Sequence, residues 1–323
     1  MKIIIDKHIS FINGVLEPYA EVIYAQPSEI NGELVSTADV LIIRTRTQCN
    51  ATLLENSQVK FIATATIGYD HVDVAFCAQN YINWTNAAGC NAHAVLEYID
   101  AVFRFFEKNR NVQFQGKTIG IVGVGNVGKL IVGLGKKYGM KILQCDPPRA
   151  RIEGGENFVT LEEIAEKSDI VTFHTPLIKC GIDSTFHLCD SHFLSKLNPN
   201  AILINAARGG IIDENALKQF PLLVANTVLD CWENEPNINP ELCVNIALST
   251  PHIAGYSKQG KANATTMSVQ SVAKFLDIKE LINWEVPALP RVHPVNYDIW
   301  NDSTLLRNDI KQFEHIRSNY KLR

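Results

Sequence analysis

Four side chains near the ends of successive apolar runs have the chemistry for proton transfer at an alcohol. His252, in TPHIAGY, can take a hydroxyl proton because an unperturbed imidazole titrates at about pH 6.5. A carboxylate against the ring would hold its tautomer and stabilise the imidazolium, and either Glu235 or Glu233 in DCWENEP could supply it. Arg208, in NAARGG, could bind a substrate carboxylate through two parallel N–H groups.

Each of these residues also has an ordinary interpretation. His252 could be a loop histidine, Glu235 could lie beside a helix N-cap, and Arg208 could form a surface ion pair. Considered one at a time, the ordinary interpretations are favoured. Their position on three successive strand ends, beside a glycine-rich turn, favours a catalytic constellation instead.

The glycine-rich turn lies within Lys117–Asp146, where G-x-G-x-x-G joins a strand to a helix and a second strand ends in an acid. Gly123 permits a sharp turn, Gly125 lets the backbone approach a pyrophosphate, and Gly128 lets the helix pack close to the strand. The helix N-terminus offers free N–H groups and the positive end of its dipole to phosphates. This context predicts a dinucleotide site and hence hydride transfer.

Asp146 indicates which dinucleotide is bound. A carboxylate at the end of the second strand can accept hydrogen bonds from a ribose diol and would repel a 2′-phosphate. Arg149 and Arg151 follow closely and could attract such a phosphate, but they lie beyond two prolines. Because Asp146 terminates the strand, we predict NAD as the cofactor.

Short apolar runs separated by helix-length spacers predict parallel strands on both sides of the turn. The candidate strands before the turn are Ile3–Asp6, Val22–Ala25, Val40–Thr45, Phe61–Thr66 and Ile82–Asn86. Those after the second strand of the turn unit are Ile170–His174, Ala201–Asn205, Val228–Cys231 and Ile246–Ser249. Ligands bind beyond the carboxyl ends of such strands, so Thr45 and Thr66 are candidate contacts, with helix capping the equal alternative.

Two long helical patterns, Asn91–Asn109 and Ser257–Leu276, would carry the chain from one domain to the other and back. The predicted fold is therefore α/β, with two doubly wound parallel-sheet domains of the Rossmann or flavodoxin-like type, a cleft between them and a short C-terminal appendage. In that appendage Pro287, Pro290 and Pro294 punctuate an extended segment, and 303–320 reads as one amphipathic helix. Its apolar face could pack on the parent domain or on a partner subunit.

Composition excludes several classes of protein. A net charge of −4 with dispersed basic residues gives no footprint for nucleic acid or an acidic membrane. The chain shows no signal peptide and no apolar stretch of transmembrane length. Its eight cysteines include no C-x-x-C pair, which predicts reduced, mostly buried thiols, no zinc site and a cytoplasmic location.

The segments GIVGVGNVGK, NAARGGIIDENAL, VLDCWENEP and STPHIAGY resemble the signature segments of the D-isomer-specific 2-hydroxyacid dehydrogenases. The resemblance runs from residue 1 to about Leu276. ATATIGYDHVD, AAGCNAHAVLEY, CDPPRA and TFHTPL point to the branch that acts on 4-phospho-D-erythronate. It implies that Arg208, Glu235 and His252 are catalytic and that Thr45, Thr66 and Tyr256 contact substrate. The predicted cofactor contacts are Gly123, Gly125, Asn126, Val127, Gly128, Asp146, Thr175, Ala206, Ala207, Arg208, Asp230 and Gly255.

The resemblance also implies NAD-linked oxidation of the C2 hydroxyl to a 2-oxo acid, in pyridoxal 5′-phosphate biosynthesis. It divides the chain into a substrate-binding domain (1–91 and 256–280), an NAD-binding domain (92–255) and a reduced C-terminal dimerisation region (281–323), which predicts a homodimer. With that region reduced, Arg44 and Arg46 become the candidate phosphate ligands. The alternatives are a dehydrogenase for another 2-hydroxy acid, such as 3-phosphoglycerate, and a non-catalytic NAD-sensing binding protein.

Overall fold

Both predicted parallel sheets are present in the computed structural model, which describes residues 1–287, 289 and 297–323. The first contains β1 Lys2–Asp6, β2 Glu21–Ala25, β3 Val40–Ile43, β4 Phe61–Thr64 and β5 Asn83–Asn86, in the spatial order β2-β1-β3-β4-β5. Its side chains alternate between two cores, with Ile4 on one face and Ile3 and Ile5 on the other. Burial on both faces explains the uninterrupted apolar runs of its central strands.

The second sheet carries the glycine turn. It contains β6 Thr118–Val122, β7 Lys141–Cys145, β8 Ile170–Phe173, β9 Ile202–Asn205, β10 Thr227–Leu229 and β11 Leu248–Ser249, in the order β11-β10-β9-β8-β6-β7. The chain order reverses between β6 and β8, and ligands of open parallel sheets bind at such a switch point. The glycine turn follows β6, so this edge of the sheet is where a dinucleotide would be expected.

Short helices connect most of the strands. The helices through the first half are α1 Gly32–Val35, α2 Ala51–Leu54, α3 Val74–Gln79, α4 Ala92–Arg110, α5 Asn126–Lys137, α6 Pro147–Glu153 and α7 Leu161–Lys167. The remainder are α8 Ser191–Lys196, α9 Glu214–Leu217, α10 Pro221–Ala225, α11 Pro240–Asn245, α12 Lys258–Phe275, α13 Ile299–Asn308 and α14 Phe313–Ser318. In the described part of the chain, 3₁₀ turns lie at Gly155–Asn157, Lys279–Leu281 and Ile310–Gln312. Among the described residues, no helix combines the length and apolarity needed to cross a bilayer.

The C-terminal helix prediction was wrong in one respect. In place of one helix over 303–320, α13 ends at Asn308 and α14 begins at Phe313 after a 3₁₀ turn. The break falls at Asn308–Asp309, two residue types whose short polar side chains have low helix propensity. Leu306 and Phe313 are fully buried in a core of the second sheet, so they pack on their own domain. Of the predicted extended segment, Pro290 and Pro294 lie outside the described residues.

The chain divides into two compact units. The first comprises Met1–Asn91 and Ser257–Val292, and the second comprises Ala92–Tyr256 and His293–Arg323. The first unit contains the five-stranded sheet and α12, and the second contains the six-stranded sheet, α4, α13 and α14. The predicted C-terminal region is thus shared between the two units, and its role in dimerisation stays a prediction.

Candidate active site

The glycine turn has the close approaches that its spacing predicts. Gly123 adopts φ +85°, and a Cβ there would lie 2.8 Å from the backbone of His174 and from the Thr175 side chain. A Cβ on Gly128 would overlap the carbonyl oxygen of Gly123. Both glycines are therefore required by the packing of β6, α5 and the end of β8.

Gly125 differs from its two neighbours in the motif. It is the N-cap of α5, and a Cβ there would meet no protein atom within 4 Å. The N–H groups of the first turn of α5, which begins Asn126-Val127-Gly128, have no partners within the helix. Thr175, whose side chain lies against Gly123, has a buried Oγ1 with no hydrogen-bond partner among the described residues. Open space, free N–H groups and an unpartnered hydroxyl fit a pyrophosphate.

Asp146 is fixed at the end of β7 by two backbone hydrogen bonds. Its Oδ2 accepts from the N–H of Val124 at 2.8 Å, and its Oδ1 accepts from Arg149 N–H at 3.1 Å, capping α6. The Arg149 guanidinium is held by Glu153, with two contacts of 2.7 and 2.6 Å, and by the Val124 carbonyl. Asp183 binds Arg151 at 2.5 Å. Because both arginines are paired with carboxylates of their own, the negative charge of Asp146 is the one that a ribose at the end of β7 would meet.

His252 and Glu235 form a direct pair. Nδ1 of His252 lies 2.9 Å from Oε2 and 3.1 Å from Oε1 of Glu235. Burial favours the neutral acid, yet the charge and hydrogen bond of His252 lower the pKa of Glu235, helped by the N–H of Trp232. An ionised Glu235 assigns the proton to Nδ1, so Nε2 of the neutral ring is an acceptor. His252 can therefore take a proton at Nε2 while Glu235 holds the opposite side.

The neighbouring acid, Glu233, has a different partner. Its Oε1 lies 2.7 Å from Nε2 of His187, and its N–H donates to Glu214 at 2.7 Å. Burial raises the pKa of Glu214 to about 7. The two acids of WENEP point to different histidines, so Glu235 is the one that holds His252.

Asp230 fixes the loop that presents His252. Its buried carboxylate accepts from the Thr250 hydroxyl at 2.7 Å and from the N–H groups of Ile253 and Ala254 at 2.8 and 2.9 Å. The Asp230 carbonyl also accepts from the N–H of His252 at 2.8 Å. The contacts of Asp230 within the protein hold this loop, and the expected contact with the cofactor stays a prediction.

Arg208 follows β9 in a turn that Asn205 organises. The Asn205 side chain accepts from the N–H of Ala207 at 3.1 Å and donates to the Arg208 carbonyl at 2.8 Å. Nη1 of Arg208 donates to the carbonyl of Ala207 at 2.8 Å. A Cβ on Gly209 would overlap the Trp232 carbonyl, which brings the turn after β9 against the one after β10. The predicted contacts Ala206 and Ala207 lie in this turn.

Tyr256 and Gly255 follow His252 in the same loop. The Tyr256 hydroxyl accepts from Nε of Arg317 at 3.1 Å, and Nη1 of Arg317 lies 3.8 Å from Oε2 of Glu235. Sequence reasoning missed Arg317. Its position on an amphipathic C-terminal helix gave no signal, because only the fold brings it beside Glu235.

The predicted substrate contacts of the first unit follow β3 and β4. Arg44 donates to the fully buried Asp6 at 2.8 and 3.3 Å, so its guanidinium has a structural partner. Thr45 is exposed in the loop after it. The Thr66 hydroxyl lies 2.7 Å from that of Thr64 and donates to the Gly68 carbonyl at 3.0 Å. These contacts hold the loops, and substrate binding by them stays a prediction.

A dinucleotide-type turn and a His–Glu pair at the strand ends of one parallel sheet define the class of NAD-dependent dehydrogenases. The family model described as D-isomer specific 2-hydroxyacid dehydrogenase, NAD binding domain, matches residues 100–254. An erythronate-4-phosphate dehydrogenase of Bacteroides thetaiotaomicron is 44% identical over 336 residues, covering 100% of this chain and 97% of that protein. One of Escherichia coli O157:H7 is 36% identical over 347 residues, covering 99% and 91% respectively.

The solved structures agree with this class. The NAD⁺-bound 3-phosphoglycerate dehydrogenase of Entamoeba histolytica is 25% identical, with a TM-score of 0.72 over 90% of this chain and 99% of that one. The chain belongs to the D-isomer specific 2-hydroxyacid dehydrogenase family, in the branch of the erythronate-4-phosphate dehydrogenases. The predicted fold class, enzyme class and NAD cofactor are thereby confirmed.

Proposed function

We propose that this chain oxidises the C2 hydroxyl of 4-phospho-D-erythronate with NAD, giving the 2-oxo acid used in pyridoxal 5′-phosphate biosynthesis. The observation that carries the chemistry is the pairing of His252 Nδ1 with both oxygens of Glu235. The choice of substrate is supported by the two relatives named erythronate-4-phosphate dehydrogenase, each of which aligns with this chain over at least 91% of its own length.

The pair assigns a role to each ring nitrogen. Nε2 of His252 accepts the proton of the C2 hydroxyl, while Glu235 holds Nδ1–H and stabilises the imidazolium that forms. Arg208 binds the C1 carboxylate and orients C2, since a guanidinium suits two parallel hydrogen bonds. When bound, NAD supplies the hydride acceptor. In the reverse direction His252 returns the same proton.

The proposed cofactor contacts lie along the carboxyl edge of the second sheet. The turn and the first residues of α5 hold the pyrophosphate, Thr175 adds its unpartnered hydroxyl, and Asp146 accepts from the adenine ribose. The full proposed set is Gly123, Gly125, Asn126, Val127, Gly128, Asp146, Thr175, Ala206, Ala207, Arg208, Asp230 and Gly255.

For the substrate we propose Thr45, Thr66, Tyr256 and, at the phosphate, Arg44. Because Arg44 also neutralises the buried Asp6, Arg44→Ala alone would leave an uncompensated carboxylate. The test is therefore the double variant Arg44→Gln/Asp6→Asn, with Asp6→Asn as its control. We expect KM for the phosphorylated acid to rise about tenfold, as for a lost charge-assisted contact, with KM for D-erythronate unchanged. An equal KM for the phosphorylated acid in both variants would exclude Arg44.

We further propose a cytoplasmic homodimer. All eight cysteines are free thiols and seven are buried, as expected in a reducing compartment. Trp300 and Leu305 on α13 remain 44% and 52% exposed, and they offer an apolar contact for a second copy. Sedimentation velocity would test this association.

The deciding experiment measures NADH formation with 4-phospho-D-erythronate, 3-phosphoglycerate and D-erythronate, for the wild type and for His252→Gln. We expect 4-phospho-D-erythronate to give the highest kcat/KM, and His252→Gln to lower kcat by about 10²–10⁴ with NADH affinity unchanged. Preference for 3-phosphoglycerate would identify the chain as a dehydrogenase for a different 2-hydroxy acid. NADH binding without turnover of any substrate would favour a sensing protein.

A further inference from the structure

A guanidinium from the C-terminal helix lies against the proposed proton-transfer pair. Nε of Arg317 donates to the Tyr256 hydroxyl at 3.1 Å, and its Nη1 lies 3.8 Å from Oε2 of Glu235. Oε2 is also the oxygen that lies 2.9 Å from His252. The Arg317 side chain is only 25% exposed, so its charge is screened less than that of a surface arginine.

The segment that carries Arg317 is firmly held in the second unit. Phe313, at the start of α14, is fully buried in a core of that unit. The guanidinium of Arg323 donates to the Ala254 carbonyl at 2.6 Å and lies 4.4 Å from the centroid of the Tyr297 ring. The same C-terminal segment therefore contacts the His252 loop twice, through Arg323 and through Arg317. These two contacts hold the segment from which the Arg317 guanidinium reaches the loop.

We propose that Arg317 is a positioning residue for the reaction, which keeps Glu235 ionised and Tyr256 oriented beside His252. The inference rests on the proposed function. Arg317 acts through Glu235 and Tyr256, and neither the hydride nor the transferred proton passes through it. The C-terminal segment is then part of the catalytic apparatus of its own chain, whatever it contributes to association.

The charges around Glu235 support this role. Burial alone would raise the pKa of Glu235, and the groups that lower it are His252, the Trp232 N–H and Arg317. The acidic groups that interact with the cluster include Glu214, which interacts with Glu235, and Asp230, which interacts with His252. The carboxylate of Glu314 lies 3.7 Å from Arg317. Burial also raises the pKa of the nearby Cys231 thiol, which leaves it uncharged. Arg317 is thus a second cation beside Oε2 of Glu235, the oxygen that also contacts His252, and its loss leaves His252 as the main counter-charge.

The test compares Arg317→Met with Arg317→Lys, and uses Lys311→Met as the matched control. Lys311 is an exposed cation of the same segment, so its removal reproduces the change in net charge. For Arg317→Met we expect kcat to fall about 10- to 100-fold, the range for a displaced catalytic group, with NADH affinity unchanged. The acidic limb of the kcat profile should move to higher pH, because Glu235 is protonated more easily without the cation. Arg317→Lys should restore the position of that limb and only part of kcat.

Three results would overturn the proposal. For Arg317→Met they are an unchanged kcat with an unmoved acidic limb, a lower kcat with an unmoved limb, and a raised substrate KM with kcat unchanged. The second would mean a purely structural role, and the third would make Arg317 a substrate ligand. If Arg317→Met fails to fold, Arg317→Gln takes its place as the neutral variant, and it must show both the lower kcat and the limb moved to higher pH. Absence of turnover in the wild type would instead refute the proposed function.

Discussion

The buried carboxylate of Asp230 accepts a hydrogen bond from the N–H of Ala254 at 2.9 Å, so the end of β10 fixes the loop that follows β11. His252 lies in that loop with φ +56°, a left-handed conformation that is uncommon outside glycine. The strained backbone persists because its neighbours hold it on both sides. Loop geometry at His252 therefore depends on a residue that is distant in sequence.

Asp230→Asn should damage both stability and catalysis. The new amide group would direct a donor at the Thr250 hydroxyl or at backbone N–H groups, leaving buried donors unpaired at a cost of about 1–3 kcal/mol each. We expect a lower denaturation midpoint and a kcat reduced about tenfold or more, because the His252 loop shifts. Asp277→Asn, in an exposed turn, is the control. A variant that matches wild type in both urea denaturation and turnover would show that the Asp230 contacts are dispensable.

The two glycines Gly125 and Gly128 should respond differently to alanine. A Cβ on Gly125 meets open space, whereas one on Gly128 overlaps the Gly123 carbonyl. Gly125→Ala should therefore fold normally and bind NADH at least about tenfold more weakly, since the methyl group occupies the phosphate position. Gly128→Ala should lower the melting temperature. NADH fluorescence titration and thermal denaturation separate the two effects; normal NADH affinity in Gly125→Ala would place the cofactor elsewhere.

Preference for NAD over NADP should depend on Asp146 and on the partner of Arg149. Asp146→Ser keeps an oxygen to cap α6 and removes the charge that repels a 2′-phosphate. It should raise the NADP/NAD ratio of kcat/KM about tenfold. Adding Glu153→Gln should raise it further, because Glu153 holds the Arg149 guanidinium at 2.7 and 2.6 Å. Glu153→Gln alone is the control, and a ratio that does not move in the double variant contradicts this account.

Much of the fold follows from local pattern. Every candidate strand is present, although β3, β4 and β10 end at Ile43, Thr64 and Leu229, two residues before their predicted ends. The predicted strands are too long because the residues after each strand continue in the same direction as they leave the carboxyl edge of the sheet. The sequence pattern does not mark where the pairing between strands stops. The glycine turn was predictable because Gly123 and Gly128 meet local steric demands that their spacing expresses directly, while Gly125 leaves open space beside the N-terminus of α5.

The side-chain partnerships of the site were less predictable. The sequence left Glu233 and Glu235 as equal partners for His252, because they are two residues apart in one loop. Only the tertiary structure directs Glu233 to His187 and Glu235 to His252. The contact between Arg317 and Glu235 was harder still to predict, because the two residues lie 82 positions apart in the sequence, 317 against 235. Such contacts depend on packing, and no periodicity encodes them.

Acid should destabilise the first unit through His71. The ring is 4% exposed and its Nε2 lies 2.9 Å from the Thr64 hydroxyl, and burial lowers its pKa to about 4, against an opposing effect of Asp70. The unfolded chain takes up the proton near pH 6.5, so stability present above that pH is lost as the pH falls from about 6.5 to 4. The slope approaches at most about 1.4 kcal/mol per pH unit.

His71→Gln removes this titration and retains a hydrogen-bonding side chain. Urea denaturation at pH 7.5 and pH 5 should show a smaller loss of stability on acidification for His71→Gln than for the wild type. The other titratable groups affect both proteins alike, so the difference between the two losses of stability isolates the contribution of His71. His315→Gln, at an exposed position on α14, should behave as wild type. An equal loss in His71→Gln and wild type would mean that His71 becomes protonated in the folded protein at pH 5.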